Sequence, residues 1–96
     1  MFDKMKQIME MKKQAERIKR ELDSLCVDVK QVPGISICIT GSQKFQDIKI
    51  SDDYFQEGRK DKLEIDLKNS LNAAITQSQQ LAASKMKEAM PDLPGM

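Results

Sequence analysis

The stretch "GISICITG", residues 34–41, decides the fold because it alternates apolar and polar side chains without a break. Ile35, Ile37 and Ile39 fall on one side of an extended chain, and the side chains between them fall on the other. Strict alternation with a period of two predicts a β-strand that is buried on one face. The rest of the chain must therefore supply a cover for the isoleucine face.

Two flanking segments repeat this alternation and complete a small sheet. Val27 and Val29 precede the central stretch, Ile48 and Ile50 follow it, and the turn signals Pro33-Gly34 and Gly41-Ser42 separate the three segments. The pattern predicts a three-stranded antiparallel meander in which Gly34 supplies a positive φ. All aliphatic residues share one face if the strands pair Val29 with Ile37, Val27 with Ile39, Ile39 with Ile48, and Ile37 with Ile50.

The segment before the sheet, residues 2–25, contains no Pro or Gly, and its apolar residues recur in alternating steps of three and four. This spacing predicts a long helix with a narrow apolar seam that suits packing against another helix. With Ile8 taken as heptad position a, we define the seam as Ile8, Met11, Ala15, Ile18, Leu22 and Leu25.

A second helical pattern follows a polar connector and covers residues 61–90. Asp61 and Glu64 resemble a capping box, and apolar residues between Leu63 and Met86 return at helical spacing. Pro91 ends the pattern. We therefore predict a single domain over residues 1–90 and a short tail over residues 91–96.

These elements define an α+β fold with the order helix, three-stranded antiparallel meander, helix. A helix of ~24 residues is ~36 Å long, whereas a seven-residue strand spans only ~23 Å. The helices must therefore project beyond the sheet as arms, and the seam of the first helix is apolar along most of its length. We expect a second copy to cover it in a symmetric homodimer, with the interface formed by Ile8, Met11, Ala15, Ile18 and Leu22.

The composition restricts the function. The chain has 96 residues, of which 40% are hydrophobic and 32% charged, and its net charge of +1 indicates no particular partner. Cys26 and Cys38 are the only cysteines and there is no apolar run of transmembrane length, so we expect a cytosolic protein with reduced thiols. The predicted register places the two cysteines diagonally, at a separation poorly suited to a disulfide.

Catalytic and metal-binding patterns are weak. Without histidine the chain has no ordinary acid–base pair near neutral pH, and two cysteines alone do not build an ordinary zinc site. Asp52 and Asp53 are more typical of a turn than of paired catalytic carboxylates. Tyr54 and Phe55 are expected to pack against the core and anchor the connector there. We predict no enzyme, no metal, no cofactor, no small-molecule substrate and no membrane partner.

Several segments together resemble one known family. The starting "MF", "PGISICITG" followed by "FQDIKIS", "LKNSLNAAI" in the second helix and the terminal "LPGM" are similar to the YbaB/EbfC family of bacterial nucleoid-associated DNA-binding proteins. The resemblance implies a tweezer-shaped homodimer whose projecting helices grip duplex DNA with little sequence preference. It also implies a cytoplasmic, nucleoid-associated protein that affects nucleoid organisation or gene expression.

The charges of the first helix are consistent with that resemblance. Heptad positions e and f hold Met5 and five basic residues, which we call the basic stripe: Lys6, Lys12, Lys13, Lys19 and Arg20. The acidic residues fall at b, c and g, which predicts a positive and a negative flank. Lys6, Lys13 and Arg20 recur in steps of ~10.5 Å, a spacing that could follow a phosphate backbone. We predict that the main DNA contacts come from Lys12, Lys13, Lys19 and Arg20. The predicted helpers are Lys6, Arg17, Lys85 and Lys87.

Two alternatives remain open at the level of sequence. The basic residues could form a solvated coiled-coil flank, although position g offers only Glu21 as a negative partner for the lysines at e. The dimer could instead be a protein–protein interaction module, because Met5 and Met9 near the tip of the first helix suit adaptable contacts with another protein.

Overall fold

The computed structural model describes residues 2–89 and has the predicted element order. The elements are α1 (Phe2–Ser24), β1 (Cys26–Val29), β2 (Ile35–Thr40), β3 (Phe45–Ile50), a short 3₁₀-helix (Asp52–Phe55) and α2 (Lys60–Ala89). The α+β fold with an antiparallel meander is confirmed, with the strands in the order β1-β2-β3. The predicted tail, residues 91–96, lies outside the described residues.

The register of the sheet matches the prediction for one strand pair and departs from it for the other. Val29 pairs with Ile37 as predicted, and Gly34 has a φ of 94°. Ile48 lies opposite Ile37 and Ile50 lies opposite Ile35, however, so the predicted pairings of Ile48 with Ile39 and of Ile50 with Ile37 are both wrong. The reason is a tight β2–β3 turn that places Phe45 opposite Ile39 and is followed by a bulge.

The core lies between α2 and the isoleucine face of the sheet. α2 packs on β1 and β2, and the side chains of Ile37 and Ile39 are fully buried. The helix presents small buried residues to the strands, namely Ser70, Ala74 and Ser78, which allow a close approach. Ser78 Oγ donates a hydrogen bond of 2.7 Å to the carbonyl oxygen of Thr40. The cover that the isoleucines require is therefore supplied mainly by α2.

The C-terminal end of α1 is fixed to the turn between β2 and β3. The backbone N–H of Gly41 donates to the carbonyl oxygens of Leu22 (3.0 Å) and Leu25 (3.2 Å), which satisfies acceptors that a helix end leaves unpaired. Ser42 Oγ donates to the carboxylate of Asp23 and hydrogen-bonds to Thr40 Oγ1 at 2.9 Å. The direction of α1 relative to the sheet is therefore set by backbone and side-chain contacts at one turn.

Gly41 is expected to be essential for this junction. A Cβ atom at position 41 would lie 2.6 Å from Cδ2 and 3.3 Å from Cα of Leu22, so the Leu22 side chain would have to move and its backbone would have to shift by a few tenths of an ångström. We predict that Gly41→Ala lowers the free energy of unfolding in urea by about 1–3 kcal/mol. Because Leu22→Ala removes part of the clash, the double variant should lose less than the sum of the two single losses. Additive losses would contradict the steric explanation.

The molecule is elongated, and the N-terminal half of α1 extends away from the core. The principal extents are 68 × 23 × 16 Å and the radius of gyration is 18.6 Å, compared with about 12–13 Å for a compact domain of this length. Ile18 and Leu22 are buried, whereas Met5 and Ile8 are each 65% exposed. The predicted projection of this helix as an arm is confirmed for a single protomer.

The connector before α2 is held by one aromatic side chain. Tyr54 is buried, and its hydroxyl lies 2.7 Å from Asp66 Oδ2 and 3.1 Å from the Pro33 carbonyl oxygen. Phe55 is 71% exposed, so the prediction that both aromatic residues plug the core is correct for Tyr54 only. The hydrogen bond from Tyr54 lowers the pKa of Asp66, and the same contact together with burial raises the pKa of Tyr54.

This contact predicts a pH dependence of stability. Because the folded-state pKa of Asp66 is lowered, its contribution is present above the unfolded-state value and is lost as the pH falls through the folded-state value. We expect the free energy of unfolding of the parent to fall between neutral pH and about pH 3. Tyr54→Phe should show a smaller fall, measured by urea unfolding at both pH values. An equal fall in the two proteins would contradict the assignment.

The two cysteines do not follow the sequence-based prediction. Cys26 lies opposite Thr40 and Cys38 lies opposite Asp28, which is the diagonal arrangement that was predicted. Their Cα atoms are nevertheless 6.0 Å apart and their sulfurs are joined as a disulfide. The expectation of a separation unsuited to a disulfide is therefore wrong, because the twist of an antiparallel pair brings one diagonal within the usual Cα range.

Candidate nucleic-acid interface

The basic residues of α1 are all exposed on the arm. Lys6, Lys12 and Lys13 lie on its outer half, and Lys19 and Arg20 lie nearer the sheet. An uninterrupted α-helix holds them, so residues seven apart are ~10.5 Å apart along the axis. The basic stripe is therefore a fixed array of cations on a projecting helix.

The charges on α1 are available to an external partner. Among residues 2–89 the salt bridges join Lys49 to Asp47, Lys60 to Glu64, Lys62 to Asp66 and Lys85 to Glu88, and none involves α1. Arg20 makes a long hydrogen bond of 3.5 Å from Nε to the Glu16 carbonyl oxygen. Cations without an internal carboxylate partner can make charge-assisted hydrogen bonds to phosphate.

Three basic residues of α1 line a shallow groove on its surface. It is lined by Lys13, Arg17 and Arg20 together with Glu10 and Gln14. Arg17 therefore lies between two residues of the basic stripe, a more central position than the helper role predicted from the heptad. The spacing i, i+4, i+7 from Lys13 through Arg17 to Arg20 was the sequence signal for this cluster.

The acids of α1 are less separated from the basic stripe than predicted. On a helix surface heptad position b lies between e and f, so Glu16 stands three or four residues from four basic side chains: Lys12, Lys13, Lys19 and Arg20. Glu10 lies in the groove itself. The surface is thus predominantly basic and carries two interspersed carboxylates, and it is not a pure cationic flank.

The two predicted helpers on α2 differ from each other. Lys85 is partly buried, with its side chain 32% exposed, and its ammonium lies 3.6 Å from Glu88. Lys87 is exposed near the end of the helix. Lys85 therefore already has a carboxylate partner, whereas Lys87 is more accessible to a ligand.

The predicted interface residues fall into two groups. Ile18 and Leu22 are 7% and 8% exposed within a single chain, where α1 packs against β2 and α2. Ile8 and Met11 are 65% and 53% exposed, and Ala15 is also exposed. The first group stabilises the protomer itself, and the second leaves an apolar strip uncovered along the arm.

Sequence reasoning missed a second uncovered apolar surface, which we call the β3 face and define as Phe45 and Ile48. Both lie opposite buried isoleucines of β2, on the core side of the sheet, yet each is 42% exposed. The reason is that α2 packs on β1 and β2 and leaves the edge strand β3 uncovered. The signal was present in the sequence, because a meander of three strands always has an edge strand on each side.

One cluster could hold a metal ion if its disulfide were reduced. The ligand atoms of Cys26, Asp28 and Cys38 all lie within 4.8 Å of one another on the sheet. The cluster lies on β1 and β2, whereas the basic stripe lies on α1. Across residues 2–89, no helix combines the length and apolar character that crossing a bilayer requires.

A small α+β core with a projecting, predominantly basic helix defines a candidate nucleic-acid-binding protein. Comparison with protein families gives a match to the YbaB/EbfC DNA-binding family over residues 1–93. The chain belongs to this family, as its sequence resemblance indicated. A search of the curated proteins gave no match to this chain.

Proposed function

We propose that this protein is a nucleoid-associated protein that binds duplex DNA as a homodimer, mainly through phosphate contacts and with little sequence preference. The observation that carries the proposal is the basic stripe: exposed cations on a projecting helix, without a carboxylate partner among the described residues, in a chain of a DNA-binding family. Its cellular place would be the cytoplasmic nucleoid, with effects on nucleoid organisation or gene expression.

The chemistry of the arm favours phosphates over bases as the target. Phe2 is the one aromatic residue in the sequence of α1, and residues 3–24, which carry the basic stripe, contain no aromatic side chain that could stack on a base. The main contacts would come from Lys12, Lys13, Lys19 and Arg20, with Arg17 joining them through the groove. Lysine and arginine contacts to phosphate fix the position of a protein on DNA but carry no sequence information directly.

In a homodimer each arm would have a second arm as its partner, and the exposed apolar patches of the protomer would be covered. The exposed part of the seam (Ile8, Met11 and Ala15) and the β3 face are both apolar and uncovered in the protomer. A two-fold axis would present each patch to its own copy and set two basic stripes on opposed arms. In this arrangement Ile18 and Leu22 support the interface from within each protomer.

A mobility-shift titration with unrelated duplexes at two salt concentrations tests the proposal. Phosphate binding weakens steeply with salt because bound protein releases condensed counterions from the DNA. We expect similar affinities for all duplexes at one salt concentration and a large, equal loss at the higher one. A strong preference for one duplex, or binding that does not respond to salt, would contradict the proposal.

A protein partner is the second candidate function, and one observation favours it. Met5 and Met9 are 65% and 60% exposed on the arm, and methionine suits adaptable apolar contacts. Binding through these residues would respond little to salt. The same salt titration therefore separates the two functions.

A further inference from the structure

We propose that Cys26, Cys38 and Asp28, when the two cysteines are reduced, form a surface site for a thiophilic divalent cation of the Zn²⁺ type. The inference is independent of DNA binding. It begins from backbone register: Asp28 lies directly opposite Cys38, and Cys26 is two residues from Asp28 on the same strand. Since side chains two apart in a strand share a face, all three project from the face opposite the isoleucines.

The three ligand atoms lie close together in the disulfide-bonded form. The two sulfurs and a carboxylate oxygen lie within 4.8 Å of one another, and Gln46 Oε1 lies 3.9 Å from the sulfur of Cys38. Zinc binds thiolate sulfur at about 2.3 Å and carboxylate oxygen at about 2.0–2.2 Å, so ligands of one ion stand less than about 5 Å apart. Small side-chain rotations would therefore bring the donors around one ion.

The site is open to solvent and has a suitable donor set. Cys26 and Asp28 are exposed and Cys38 is half-buried, so an ion can reach the donors without unfolding the sheet. Two thiolates select a soft or borderline cation over Mg²⁺ or Ca²⁺, and the carboxylate favours a divalent ion. Gln46, at the β3 bulge, or a water molecule would supply the fourth position.

The disulfide and the ion exclude each other, because the ion needs the two sulfurs as thiolates. Two equivalents of a thiol reductant convert the disulfide into two thiols and are themselves oxidised to one disulfide. The cation then displaces the two thiol protons to form two metal–thiolate bonds. The ion would therefore bind only to the reduced protein, and reoxidation would release it.

Cobalt(II) absorption spectroscopy tests the site directly. The full chain, reduced with a phosphine under inert gas, should bind Co²⁺ at a ratio of one per chain with a thiolate-to-cobalt charge-transfer band, and Zn²⁺ should abolish that band. Cys26→Ser and Cys38→Ser should each weaken binding by at least about tenfold, and Asp28→Asn should weaken it several-fold. Thermal unfolding would verify that each variant is folded.

A neighbouring acid provides the matched control. Asp47 lies opposite Cys38 on β3 but is outside the cluster, and it is paired loosely with Lys49 at 3.9 Å. Asp47→Asn removes the same charge from the same sheet and should leave Co²⁺ affinity unchanged. The proposal is overturned if the reduced parent gives no charge-transfer band, if a folded Cys38→Ser variant binds as the parent does, or if Asp47→Asn weakens binding as much as Asp28→Asn.

Discussion

Replacing Lys12, Lys13, Lys19 and Arg20 by glutamine is expected to abolish most DNA binding while leaving the fold intact. All four side chains are exposed and glutamine keeps helix propensity, so stability should change little. The variant removes four charges per chain, and therefore eight per dimer. We expect at least about a hundredfold weaker binding near 0.1 M salt, and a slope of log K against log salt that falls by up to about seven.

The control for this variant has the same net charge. Replacing Lys30, Lys44, Lys49 and Lys68 by glutamine also removes four exposed positive charges, all outside α1. If binding depends on the basic stripe, this control should keep nearly the parent affinity and salt slope. Equal losses in the two variants would mean that only overall charge matters, and full binding by the first variant would show that α1 is not the DNA-binding surface.

The fold was predictable because its signals are local. The alternation around Ile37 identifies a strand, and the turn signals on either side of it imply that its two partner strands are the segments directly before and after it in the sequence. The seam spacing from Ile8 identifies a helix. The β2–β3 register was not predictable by matching aliphatic residues. Phe45 begins β3 closer to the turn than the isoleucine pattern indicates, because Lys44 O accepts a hydrogen bond of 2.8 Å from Thr40 N and closes the turn early.

The functional surfaces were predictable only in part because they depend on packing between elements. The exposure of the basic stripe follows from helical periodicity alone. The burial of Ile18 does not follow from periodicity, because it depends on how far α1 overlaps the sheet. The contact between Gly41 and Leu22 decides that overlap. The exposure of the β3 face likewise follows from the path of α2 over β1 and β2, and no residue pattern within β3 specifies it.

The burial of Ile18 also changes how the homodimer must be tested. Ile18→Asp would place a charge in the interior of each protomer and unfold it, so loss of the dimer in that variant would not locate the interface. Ile48 is a better position, because it is 42% exposed in the protomer and apolar. A charge there is tolerable in a monomer but not between two copies.

We expect Ile48→Asp to weaken dimerisation by on the order of a hundredfold, because each of the two copies loses about 1–2 kcal/mol of apolar burial and acquires a desolvated carboxylate. Sedimentation equilibrium should find a dimer for the parent and a folded monomer for the variant at micromolar concentration. DNA binding should weaken in parallel, since two linked arms bind more tightly than either arm alone.

Two further variants decide which apolar surface forms the interface. Phe55→Asp is the matched control, because Phe55 is 71% exposed yet lies on the 3₁₀-helix, outside both the seam and the β3 face, and this variant should remain dimeric. Ile8→Asp places the same charge on the exposed part of the seam. If Ile8→Asp dissociates the dimer and Ile48→Asp does not, the arms alone hold the two copies together and the β3 face has no role in the contact. If the parent itself sediments as a monomer, DNA must be bound by one arm at a time. The expected fall in the slope of log K against log salt for the four-glutamine variant would then be half of about seven.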